Sequence, residues 1–147
     1  MSNPGPAVTT SAHPSNLSTS QAKRLLAVYK GLSVAAAADF NLQVNNSSSY
    51  SVQDILVTNS ITASTGATVS VASVNLGVYT APSKGGTAIL TAAALSSNTA
   101  STVVYVTAPT TTAAQTAQNL YVNISTAYVA GATVDVYIYG YDFSASN

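Results

Sequence analysis

Residues 134–143 read VDVYIYGYDF. Val134, Val136 and Ile138 alternate with Asp135, Tyr137 and Tyr139, and Gly140 and Tyr141 extend the two rows. A period of two places successive side chains on opposite faces of a strand. One face is then aliphatic and the other aromatic. Residues 120–125, LYVNIS, repeat the arrangement, with Leu120, Val122 and Ile124 on one side and Tyr121, Asn123 and Ser125 on the other. The aliphatic rows are expected to be buried in a common core. Tyr121, Tyr137, Tyr139 and Tyr141 are expected to look outward.

The same pattern extends back from these two segments. Phe40, Leu42 and Val44 alternate; Val52, Ile55 and Val57 follow, with a break in register expected near Asp54. Val69 and Val71 alternate, and Val74, Leu76 and Val78 do so in a shifted phase. Ile89 in GGTAILT and Val103, Val104 and Val106 in TVVYVT complete the series, and NNSSS, STG, APSKGG, SSNTAS and VAGA read as turns. APTTTAAQTAQ, residues 108–118, reads as a longer crossing loop. Many short strands with turn signals between them predict an all-β fold, an antiparallel sandwich or barrel, over residues 38–147.

The N-terminal part differs. Residues 1–20, MSNPGPAVTTSAHPSNLSTS, hold three prolines and few apolar residues, and read as an extended arm. Residues 21–37 read as a short helix or linker. Ala22, Leu25, Leu26 and Tyr29 fit helical spacing, with Ser20 as N-cap and Gly31 as terminator. A strand is the close alternative, since so short a helix is marginal without packing. KRLLAVYKGLSVAAAAD has the outline of a secretory signal, but Lys30 interrupts its apolar part.

The 147 residues are 47% hydrophobic and only 5% charged, with zero formal net charge, against about 25% charged in an average soluble domain. A surface so poor in charge favours association. It also argues against nucleic acid as a partner, because that requires clustered Lys and Arg. No apolar run reaches the length of a membrane-spanning helix.

The same sparseness limits chemistry. With no cysteine there is neither a disulfide framework nor a thiolate metal site. His13 is the sole histidine and lies in the arm, which leaves no evident base for a catalytic triad. Asp135 and Asp142 are separated by an odd spacing on one strand, so they point to opposite faces. Each of the four aspartates is expected to cap a turn or pair with a lysine. SKGG, residues 83–86, is too short for a phosphate-binding loop and reads as a turn in which glycine supplies positive φ. The expectation is a protein that is not an enzyme and holds no cofactor or metal.

Tyrosine combines an apolar ring with a polar tip, which suits protein interfaces. The outward tyrosines are therefore read as a subunit interface. Packing under the protein's own loops and a sugar-binding platform are the other readings.

Two blocks, DILVTNSITASTG…GVYTAPSKGGTAILTA within residues 54–92 and LYVNISTAYVAGATVDVYIYGYDFS at 120–144, resemble small capsid decoration, or cement, proteins of tailed bacteriophages. The resemblance spans residues 50–144. It implies a β-rich virion component, often a homotrimer, bound to the major capsid protein on the outer shell and made in the host cytoplasm. On that reading Pro4, Pro6, His13, Lys23, Arg24 and Lys30 would reach the coat. A secreted or cell-surface adhesin or pilus-type β-domain, and a carbohydrate-binding module, are the alternatives.

Overall fold

A computed structural model describes residues 23–96, 98, 105–128 and 130–144. Its eight strands are β1 (Arg24–Ser33), β2 (Ala38–Gln43), β3 (Tyr50–Thr62), β4 (Asn75–Ala81), β5 (Gly85–Ala94), β6 (Tyr105–Thr107), β7 (Asn119–Thr126) and β8 (Ala132–Asp142). They form two four-stranded sheets, ordered β1-β8-β3-β6 and β2-β7-β4-β5, with every strand pair antiparallel. The sheets pack face to face as a sandwich, with one continuous hydrophobic core between them. Leu120, Val122, Val134, Val136 and Ile138 are fully buried in it, and Ile124 is 1% exposed.

Residues 24–33 form a strand rather than the helix. The reason lies outside the segment. β8 is 11 residues long, and without β1 one of its edges would present unpaired backbone groups. As a strand, residues 24–33 pair along β8 and also bury Leu26, Ala27 and Leu32. The β-domain therefore begins at β1. Gly31, which suits a helix end, instead occupies a bulge in β1 with φ of 68°.

A second bulge lies across β8, in β3 between Thr58 and Ile61, where Asn59 has φ of 53°. Asp135 accepts a hydrogen bond from each bulge, 2.7 Å from Gly31 N and 3.2 Å from Asn59 Nδ2. One carboxylate thus holds a backbone amide of the first bulge and the side-chain amide of the second. The break expected near Asp54 is present, as a register shift between Val52 and Asp54 against β8.

Residues 108–118 carry the chain from β6 in the first sheet to β7 in the second, as expected of a crossing loop. The crossing is anchored at buried Tyr50, whose hydroxyl donates to Ala117 O at 2.6 Å. Burial pushes the Tyr50 pKa up to about 12. The β4–β5 connection is a turn closed by Gly85 N donating to Pro82 O at 3.0 Å. Here the positive φ falls on Ser83 (55°) and Lys84 (61°), with Gly86 following at 68°. SKGG is thus a turn, as expected, and one of its glycines, Gly86, supplies positive φ, although Ser83 and Lys84 share that conformation and Gly85 does not.

Candidate functional site

The outer face of the first sheet is the most unusual surface among the described residues. Tyr137, Tyr139 and Tyr141 lie on it side by side along β8, all half-buried, opposite the core residues of the same strand. The Tyr137 and Tyr139 rings stack, with centroids 6.5 Å apart and planes at 19°. β1 places Val28 beside Tyr137 and Leu25 beside Tyr139, while β3 places Leu56 beside Tyr137 and Asp54 beside Tyr139. Leu25, Val28 and Leu56 are half-buried too. The result is a patch in which aromatic rings in the central strand are flanked by aliphatic side chains on both sides.

Leu25, Val28 and Leu56 were not legible as members of this patch. One signal was present: Leu56 has the opposite parity to Ile55 and Val57, which marks an apolar residue at an outward position. Tyr121 does not join the other three. It lies on β7, across from Asn41 and Tyr79, on the outer side of the second sheet. The outward tyrosines therefore divide between opposite faces of the sandwich.

The charged residues around the patch are largely engaged within the chain. Lys23 pairs with Asp54 at the edge of the tyrosine row. Its pKa is raised, chiefly by the hydrogen bond to Asp54. Arg24 donates to Asp142 at 2.8 Å. The expected basic coat contact thus contains two ion-paired members, and Lys30 stands exposed beside the β1 bulge. Pro4, Pro6 and His13, with the rest of the arm, lie outside the described residues. Of the four aspartates expected to cap a turn or pair with a lysine, Asp39 accepts from Ser83 N of a turn at 2.9 Å and Asp54 pairs with Lys23, whereas Asp135 holds two bulges and Asp142 pairs with an arginine.

Asp142 is 5% exposed. Burial alone would push its carboxyl up. Hydrogen bonds from the Ser144 hydroxyl and amide and from Ser47, together with Arg24, outweigh that and hold it below the ordinary 3.8. A folded-state pKa below the unfolded one contributes stability above the unfolded value, and that stability is lost as pH falls through the folded value. We expect the urea midpoint to drop as pH falls below about 4. Asp142→Asn should flatten this acid limb and lower stability at neutral pH. An unchanged acid limb in that variant would place the controlling carboxylate elsewhere.

No known family model, curated protein or solved structure matches the chain. The likeness to decoration proteins accordingly rests on the residues quoted for it. Among the described residues no cluster of His, Cys, Asp and Glu has the makings of a metal site, and no helix is long and apolar enough to cross a membrane.

Proposed function

We propose that this chain is a non-enzymatic structural protein that associates through the outer face of its first sheet, and that it decorates a bacteriophage capsid. In this reading the tyrosine face joins copies of the chain, most simply as a trimer, and the assembled unit binds coat subunits on the outer shell of the virion. The observation that carries it is the aromatic and aliphatic patch on β1, β8 and β3, in a chain with only eight charged residues.

Magnitudes support repeated contacts over a single one. If each of three rings hid about 100 Å², the gain would be roughly 7 kcal/mol at about 25 cal/mol per Å². Holding two partners together costs an estimated 4–15 kcal/mol. One stripe is therefore marginal by itself, and a closed symmetric oligomer that uses it several times is not. A lattice of weak sites strengthens attachment further by avidity.

Tyr139→Ser tests the reading. Its loss of cross-strand packing should cost the monomer about 1 kcal/mol or less. Light scattering should show a smaller oligomer fraction, and purified particles should carry fewer copies. A large fall in monomer stability with assembly intact would sink the proposal, because the stripe would then be packing for its own fold.

A further inference from the structure

The chain enters the described structure at one end of the tyrosine row. Lys23 is the first described residue, and its ammonium is bonded to Asp54, the register partner of Tyr139 on β3. Arg24 pairs with Gly140, which sets Lys23 level with Tyr141. Residues 1–22 therefore join the fold at the edge of the patch itself. From Tyr137 to Tyr141 the row spans about 13 Å at about 3.3 Å per residue. The 22 residues before Lys23 reach about 70 Å when extended, enough to turn back and cross the whole row with length to spare.

The segment and the face also match in chemistry. Residues 1–22 contain no Asp, Glu, Lys or Arg, and they hold Pro4, Pro6 and Pro14, three of the chain's five prolines. The face is neutral as well: of its carboxylates, Asp54 is paired with Lys23 and Asp135 accepts from the two bulges. Burying an unpaired charge against aromatic rings is costly, and no side chain from Met1 to Ala22 other than His13 can bring one. Proline-rich segments dock on aromatic-lined surfaces, because the proline ring packs on an aromatic and its fixed φ leaves little freedom to lose. Tyr137 and Tyr139, stacked at 6.5 Å and flanked by Leu25, Val28 and Leu56, form such a surface.

We propose that residues 1–22 dock on the tyrosine face of their own chain and cover it in the free monomer. The tether selects the same chain over a neighbour. A segment attached at the edge of its site competes at an effective concentration in about the millimolar range, well above that of a second copy at micromolar concentration. The cover and a neighbouring chain then contend for the same rings, a consequence that rests on the association proposed above. One copy displaces the cover poorly, whereas the repeated contacts of a closed oligomer or a lattice displace it well. The face is thereby kept from indiscriminate association until many contacts are offered at once.

The chain has no cysteine, so Ser2→Cys carries a single nitroxide label for nuclear magnetic resonance of the full chain. At micromolar concentration the label should broaden the amides of Leu56, Tyr137 and Tyr139 and leave that of Tyr121, on the other sheet, sharp. Pro4→Ser combined with Pro6→Ser, and separately Tyr139→Ser, should each reduce the broadening severalfold. Labelled chain mixed with unlabelled, isotope-enriched chain should broaden nothing in the latter at that concentration. At higher concentration, light scattering should show a larger oligomer fraction for the proline variant than for the unaltered chain. No broadening on the tyrosine face, broadening that persists in both variants, or broadening only between chains would overturn the proposal. A smaller oligomer fraction in the proline variant would overturn it equally, since the segment would then be joining copies. Reduced broadening in Tyr139→Ser with an unchanged oligomer fraction would sink the association reading alone and support the cover.

Discussion

Gly140→Ala is expected to destabilise the domain by about 3 kcal/mol or more, at or beyond the upper end of ordinary overpacking. A glycine inside a strand is normally a weakness, and alanine in its place would be neutral or helpful. The sign reverses here because of what faces the position. A Cβ on Gly140 would lie 1.9 Å from Ser51 O and 2.8 Å from the Leu26 side chain. The nearer atom is backbone, so no rotamer change can clear it. Nor is Ser51 free to withdraw, since it is 2% exposed and its hydroxyl donates to Thr112 O at 2.6 Å. β8 would have to part from β3 near the bulge between Val52 and Asp54. Against a typical total of about 5–15 kcal/mol, a loss of this size is a large fraction of the fold's stability. Urea denaturation of the purified variant measures it, and a loss under about 1 kcal/mol would show that the seam opens easily.

Ile138→Ala should cost about 2–5 kcal/mol. Ile138 is fully buried, and its register partners are Ala27 on β1 and Ile55 on β3, also fully buried. Truncation removes apolar contacts from the centre of the first sheet, and neighbours held in a two-sheet sandwich collapse only in part into the space left. Its neighbour Tyr139 provides the control. The two are adjacent in sequence and lie on opposite faces, so Tyr139→Ser should act mainly on association while Ile138→Ala acts on folding. The same denaturation measurement, made on the monomer at low concentration, distinguishes them. A cost below about 0.5 kcal/mol for Ile138→Ala would contradict its place in the core.

The sandwich was legible wherever a strand's two faces differ in chemistry. β7 and β8 declare inside and outside in every alternate residue, because one face packs on the other sheet across the core and the other does not. The register break at Asp54 was legible for the same reason, as a change of phase. β1 was not. Leu25, Leu26, Val28 and Tyr29 satisfy helix and strand about equally, so the local signals nearly cancel. The open edge of β8, distant in sequence, settles the matter. Parity also says that Tyr121 and Tyr139 both face outward, but it carries no information on which sheet each strand joins. Tertiary pairing put them on opposite sides of the protein. The Asp39–Asn123 pair spans 84 residues and is completed by a turn that bends back over β7. Alternation along a chain reports which way a side chain points. Only the hydrogen-bonded order of the strands decides what it points toward.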